Sequence, residues 1–254
     1  RDQFDDPSLD VAVLDYDGDG KDEIVLDIFE YSDDYEEGSK SRLIFVEDDG
    51  NVLPGSRSTY EDVTLMHGDS EGDGKTHLYA QEWKYDSNRE EDYYPVHEIN
   101  SRGASDTSFK GGDKKIQRYG MVWSPKEKKA LFVGDYYDAV AGRNALVVED
   151  AAGNRIRTEK QAGDGYIWGI YSNPKFPLLA NENFEEDDTL TVYHVDQEQP
   201  IGTVVNALGF DEVNFLYDAE ADTYYMLVIA DGMYADVYRI GKSASGGENE
   251  ENAQ

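Results

Sequence analysis

Short apolar runs rich in β-branched and aromatic residues recur along this chain, each opening into a turn and each followed by a second run of the same kind. The first runs read Val11-Ala-Val-Leu14, Val63-Thr-Leu-Met66, Tyr119-Gly-Met-Val-Trp123, Tyr166-Ile-Trp-Gly-Ile-Tyr171 and Val213-Asn-Phe-Leu-Tyr217. They enter turns at Asp15, Asp69, Ser124, Ser172 and Asp218, so successive turns lie 54, 55, 48 and 46 residues apart. Second runs follow at 23–29, 78–83, 130–136, 178–184 and 225–230, and third runs at 43–47, 95–99, 145–149, 190–195 and 235–240. Runs of this length, bounded by turn residues, predict β-strands. A fourth strand is drawn near Val52, at 155–157 and at 202–205, while the second unit offers no clear one. Asp49-Gly50-Asn51 and Gly153-Asn154 supply the positive-φ residues that tight hairpins between third and fourth strands require. No apolar spacing of three and four persists long enough to predict a helix.

Four short antiparallel strands per unit of about 40–50 residues are the sequence signature of propeller blades. The predicted fold is therefore all-β: a single five-bladed β-propeller over 1–241, with blades at roughly 9–59, 60–112, 117–161, 165–207 and 210–241. An irregular β-sandwich is the alternative. The last unit stops after its third strand, and residues 1–5 would supply the missing outer strand. The segment 242–254, rich in Ser, Gly, Glu and Asn, predicts a disordered acidic tail.

The first turn carries the most specific chemistry. Asp15-Tyr-Asp17-Gly-Asp19-Gly20-Lys21-Asp-Glu23 places carboxylates at loop positions 1, 3 and 5 and Gly at 6, the arrangement a hard, oxygen-seeking cation such as Ca²⁺ requires. Lys21 would offer its backbone carbonyl and Glu23 would close the shell. An EF-hand would need Glu at position 12 and a helix, but Leu26 stands there within a β-branched run. This loop resembles the calcium-loop repeats (FG-GAP or VCBS type) of integrin-α-like β-propellers, strongly over about 9–30 and weakly over 69–77. The resemblance implies an ion that staples the hairpin between a blade's first two strands, held by Asp15, Asp17, Asp19, Lys21 and Glu23. In the second loop it nominates Asp69, Glu71, Asp73 and Lys75, with Glu at position 3 and His77, a poor calcium ligand, at position 9. Asp218-Ala-Glu220-Ala-Asp222 keeps three acids but lacks the glycine, and no site is expected there.

Charge narrows the partners. With 55 acidic against 23 basic residues the net charge is −32, which repels nucleic acid and anionic membranes. The acids are spread along the whole chain, which reads as adaptation to high salt, as general calcium affinity or as solubility. No run of 18 apolar residues is present, so no membrane-inserted helix is expected. The start at Arg1 reads as a mature or trimmed terminus. The absence of cysteine excludes disulfides and thiolate metal sites. Calcium is millimolar outside cells, so the loop predicts an extracellular or cell-surface setting.

A second recurrence suggests a ligand face. Each second strand ends in an acid with a bulky neighbour: Asp27 with Phe29, Glu82 with Trp83, Asp135 with Tyr136, Glu182 with Phe184, and Asp231 with Tyr234. In a propeller these positions would share one face, and carboxylates beside aromatic platforms suit a hydroxyl-rich ligand such as a glycan or polysaccharide. Long acidic, Tyr-bearing segments at 31–41 and 84–94 follow second strands on that face. The expected function is a lectin-like, calcium-stabilised carbohydrate-binding module. A polysaccharide lyase or glycoside hydrolase using the same acids, and a protein-binding adhesin, are the alternatives. The four histidines, His67, His77, His97 and His194, read as packed strand or turn residues, and no nucleophile elbow, phosphate loop or paired-His zinc motif is present.

Overall fold

The computed structural model describes residues 8–15, 19–30, 40–52, 58–60, 63–99, 105–106, 115–138, 142–160, 166–184, 188–206, 209–230 and 234–240. Among them the chain is all-β, with no helix. The strands form five antiparallel sheets in chain order. Sheet 1 holds β1 (Ser8–Leu14), β2 (Glu23–Glu30), β3 (Lys40–Val46) and β4 (Ser58–Tyr60). Sheet 2 holds β5 (Val63–Gly68), β6 (His77–Glu82), β9 (Val96–Ile99) and β10 (Ser105–Asp106), with a separate hairpin of β7 (Lys84–Asp86) and β8 (Glu91–Tyr93) inserted after β6. Sheet 3 holds β11 (Gln117–Ser124), β12 (Lys129–Asp138), β13 (Arg143–Glu149) and β14 (Arg155–Lys160). Sheet 4 holds β15 (Tyr166–Ser172), β16 (Leu178–Phe184), β17 (Asp188–His194) and β18 (Pro200–Asn206), and sheet 5 holds β19 (Glu212–Asp218), β20 (Thr223–Ala230) and β21 (Tyr234–Ile240).

The first, second and third strands fall within a few residues of the predicted runs. Two differences have clear causes. The segment 84–94, expected as a long loop, is mostly the β7–β8 hairpin; its turn is closed by Asp86, which accepts the N–H of Asn88 on Oδ1 and of Arg89 on its carbonyl. In sheet 1, Val52 forms only an isolated bridge to Val46, and the fourth strand is 58–60 instead. The last sheet has three strands; residues 1–5, proposed to complete it, and the segments 31–39 and 242–254 lie outside the described residues.

Central strands of sheets 2 to 4, among them β6, β12, β13 and β16, are buried on both sides, and packing explains why. Ala12, Val25 and Phe45 of sheet 1 pack on Leu78, Ala80 and Ile99 of sheet 2. The other side of sheet 2 sends Met66 and Tyr79 against Met121 and Phe132 of sheet 3, with Tyr79 and Phe132 edge to face at 4.9 Å. Val122, Leu146 and Val148 meet Ile170, Leu179 and Val195 of sheet 4, whose opposite face packs on Val213, Phe215 and Met226 of sheet 5. The result is four apolar seams between five sheets. Each seam is also crossed by a hydrogen bond: Val63 N–H to Ser41 Oγ (3.1 Å), Ala130 N–H to the Asp69 carbonyl (2.6 Å), Trp123 N–H to the Phe176 carbonyl (3.0 Å), and Tyr171 O–H to the Phe210 carbonyl (3.4 Å).

The second seam carries a charge in its interior. Arg118 of β11 is 1% exposed, and its guanidinium donates to Glu149 of β13 through Nε (2.7 Å) and Nη2. Nη1 donates to the Ile116 carbonyl at 3.0 Å. The Gln81 side-chain amide of β6 binds the Arg118 main chain from both ends, Nε2 to the carbonyl (3.0 Å) and Oε1 from the N–H (2.9 Å). Removing one partner from such a pair leaves an uncompensated buried charge. Glu149→Ala is therefore expected to lower unfolding free energy by about 3–5 kcal/mol in a denaturant titration. Glu91→Ala, which breaks the exposed pair with Lys115 at 2.8 Å, is expected to leave the midpoint nearly unchanged.

Candidate functional site

Between sheets 2 and 3 lies a cleft of about 340 Å³ lined by Thr64, Gln81, Trp83, Tyr94 and Gln117. Alternation along β6 turns Gln81 and Trp83 to the same side, and Trp83, just beyond the strand end, stays 46% exposed. Tyr94 follows the β7–β8 hairpin, which returns the chain to the cleft rim. Gln117 opens β11 and stands directly opposite Asp135 of β12.

Asp135 is 5% exposed and accepts a hydrogen bond from Asn144 Nδ2 at 2.6 Å and another from the Tyr119 hydroxyl. Burial pushes its carboxyl up to about 6, against the lowering effect of those two donors. A break in register brings Tyr119 there. Arg118 pairs with Gly134 and Gly120 with Val133, so Tyr119 is the extra residue of a β-bulge, the device by which strands re-aim a side chain. A Cβ on Gly134 would lie 2.3 Å from the Gln117 carbonyl oxygen, so β12 can pass the bulge only as glycine. Sheet 4 repeats the bulge between Ile167 and Gly169, opposite Asn183 and Glu182. The Tyr119 hydroxyl is shifted upward by burial and then by the Asp135 charge, and Tyr94 is raised by burial first, with Asp92 and Asp135 adding to it.

Like Asp135, the other described acids of the predicted ligand face, Asp27, Glu82 and Glu182, are buried. Asp27 accepts from Ser41 Oγ at 3.2 Å, the same hydroxyl that stitches sheet 1 to sheet 2. Glu82 meets His97 Nε2 at 2.6 Å and lies 3.4 Å from Lys84 Nζ. Glu182 accepts the Tyr171 hydroxyl at 2.8 Å, and burial raises its carboxyl. Tyr136 is half-buried under the Arg155 guanidinium at 4.8 Å from the ring centroid. Asp231 and the Phe184 side chain lie outside the described residues. Of the ring nominated from sequence, Trp83 is the member that lines the cleft, and Asp135 is the acid beside it. Thr64, Gln81, Tyr94, Gln117 and Tyr119 were not singled out. Polar Gln81 and Gln117 next to apolar strand segments were the available signal.

The two acidic loops share a backbone template. In the first, Asp15 Oδ2 accepts the Gly20 N–H (2.9 Å) and Asp19 Oδ1 the Lys21 N–H (2.9 Å), with Gly20 at φ +91°. In the second, Asp69 Oδ2 accepts the Gly74 N–H (2.9 Å) and Asp73 Oδ1 the Lys75 N–H (3.0 Å), with Gly74 at φ +82°. Position 1 thus binds position 6, and position 5 binds position 7, in both. Lys21 Nζ turns away to Asp48 at 2.5 Å, Glu23 is buried as the first residue of β2, and Asp17 lies outside the described residues. In the second loop His77 sits 3.0 Å from Glu98 and 3.6 Å from Asp73. Among the described residues no group of three or more His, Cys, Asp or Glu side chains converges on a metal position.

No family model matches the sequence, and no curated protein matches it. Among solved structures, the chain is similar to a proposed 6-phosphogluconolactonase from Bacteroides uniformis, with a TM-score of 0.50 and 15% identity over 85% of this chain. It spans 63% of that protein, less than two thirds of its length, and a likeness at this identity speaks of the fold alone. The chemistry of the cleft rests on the residues of this chain. Asp135 binds its proton more tightly folded, near 6, than unfolded, near 3.8. Its contribution to stability is therefore full below about 4 and lost as pH rises through 6, a swing of roughly 3 kcal/mol. The difference in unfolding free energy between the native chain and Asp135→Asn is expected to fall by that amount from pH 4 to pH 7, measured by denaturant titration at each pH.

Proposed function

We propose that this chain is a β-propeller-type module that binds neutral carbohydrate in the cleft between sheets 2 and 3, outside the cell, with calcium bracing its hairpin loops. The exposed indole of Trp83, which lines the cleft together with Tyr94, Gln117 and Thr64, carries the reading. Ring faces stack on the C–H surfaces of a sugar, while amide and hydroxyl groups exchange hydrogen bonds with its hydroxyls. A net charge of −32 disfavours uronates and sulfated glycans, which selects neutral chains. Hydrolysis would call for two carboxyl groups flanking the bond, and none of the five lining residues is acidic, so binding is favoured over cleavage. The propeller arrangement is supported by five sheets that follow one another in chain order and pack face to face in sequence.

The donor set of the first loop is chemically suited to calcium: carboxylates of Asp15, Asp17, Asp19 and Glu23 with the Lys21 carbonyl. The common template of the two loops supports the same role for Asp69, Glu71, Asp73 and the Lys75 carbonyl. A cation there would offset the mutual repulsion of acids crowded into one turn. The resulting ligand-dependent stability grows with concentration.

Two measurements test the reading. Titration with neutral cello-, xylo- and chito-oligosaccharides is expected to change tryptophan fluorescence saturably. Trp83→Ala should weaken binding at least about tenfold, the effect of losing one stacked ring, without altering the melting temperature; flat titrations across that panel would sink the proposal. Asp15→Asn keeps an acceptor for the Gly20 N–H but removes the charge. In calcium at 100 times its dissociation constant the native chain gains about 2.7 kcal/mol, so the variant should melt roughly 5–10 °C lower there and equally in chelator.

A further inference from the structure

Sheet 2 departs from its neighbours in the passage from its second to its third strand. Sheets 3, 4 and 5 make that passage within 139–142, 185–187 and 231–233, whereas sheet 2 takes 83–95 and folds β7 and β8 there. A hairpin inserted on a rigid sheet carries an ordering cost and adds little to the core, and insertions of that kind are where function concentrates.

The hairpin has two unlike faces. Glu82 Oε1 lies 3.4 Å from Lys84 Nζ, so side chains two residues apart point the same way through position 83, and Trp83 and Tyr85 share the opposite side. Across the hairpin Lys84 stands opposite Tyr93, and Tyr85 opposite Asp92. Tyr94, one residue beyond Tyr93, returns to the side of Trp83, with which it lines the cleft. Its hydroxyl is raised by burial first and then by the Asp92 charge, which agrees with Asp92 lying on that side too. One face therefore carries Lys84, Asp86 and Tyr93, all half-buried, with Glu91 near the tip. The other carries Trp83 (46% exposed), Tyr85 (55% exposed) and exposed Asp92, running out from Tyr94 in the cleft.

The side turned to water thus holds two large rings in line. They are separated by two residues of extended chain, about 6.6 Å, and Asp92 lies about 5 Å across the hairpin from Tyr85, as directly opposed residues do. The tip is also fastened: Glu91 pairs at 2.8 Å with Lys115, two residues before Gln117 of the cleft lining. Cleft and hairpin face form one continuous surface, longer than a single sugar ring would cover.

We infer that the ligand is an extended polysaccharide bound along an internal stretch, with one unit in the cleft on Trp83 and Tyr94 and a further unit stacked on Tyr85, where Asp92 accepts its hydroxyl hydrogen bonds. The inference rests on the carbohydrate reading of the cleft and extends it from a sugar to a chain. A short ligand fills the cleft and leaves Tyr85 bare.

Oligosaccharides of the cello, xylo and chito series, from disaccharides to long oligomers, are titrated against the native chain by tryptophan fluorescence and calorimetry. Affinity is expected to rise about tenfold with length, the effect of a second stacked ring, and then to level off. Tyr85→Ala should cancel that gain for the long oligomers and bind the shortest as the native chain does. Tyr85→Phe keeps the ring and should retain the gain, and both variants should melt like the native chain. Binding that depends on Trp83 but gains nothing with length overturns the inference and leaves the cleft reading standing. An equal loss at every length in Tyr85→Ala also overturns it, because Tyr85 would then belong to the cleft itself. Flat titrations at every length remove the cleft reading and the inference together. Oligolysine that binds through Tyr85, with affinity falling steeply as salt rises, assigns the face to a basic peptide and overturns the inference.

Discussion

The structure depends on one constraint: an isolated sheet with two apolar faces can hide only one of them against a single neighbour. Sheets 2, 3 and 4 have no solvated face to offer, so each is held between two others, and the order along the chain becomes the order in space. Short connections enforce the same result, since consecutive elements tend to be neighbours. The sheets need no close match of sequence to stack this way; they need volume and pattern. This explains how a fold likeness can persist at only 15% identity to a structural neighbour.

Apolar seams alone leave sheets free to slide, and the polar stitches remove that freedom. Ser41, for example, is fully buried and serves two clients at once, donating to Asp27 in its own sheet and accepting the Val63 N–H of the next. Across the second seam the Gln81 amide grips the Arg118 main chain, and within sheet 3 the Arg118–Glu149 charge pair tolerates little displacement in low dielectric. The net stabilisation from such a pair is small against a well-packed apolar substitute, but the penalty for breaking it is large. It acts as a register pin between β11 and β13.

The strands were legible because each apolar run is short, β-rich and closed by a turn residue. Val63–Gly68 and Leu178–Phe184 are visible in this way before any packing is known. The fourth strands were harder: Ser58–Tyr60 and Ser105–Asp106 are polar edge strands of two or three residues, and their pairing is set by the neighbour rather than by their own composition. The acids at the ends of second strands were seen as a recurrence, yet their environments were not. Asp27, Glu82, Asp135 and Glu182 look alike in one dimension and all four are buried; only their partners, Ser41, His97, Asn144 with Tyr119, and Tyr171, tell their environments apart. The Tyr119 bulge was illegible, since an extra residue in a strand leaves no mark until its partner strand is aligned.

The Gln81 amide has a mechanical meaning. By accepting and donating to the main chain of Arg118 it behaves as a peptide group borrowed from one sheet to extend the hydrogen-bonded edge of the next. The two walls of the cleft are thereby one body. A cleft braced in this way presents its lining in a fixed arrangement, with little ordering entropy left to lose on any binding there.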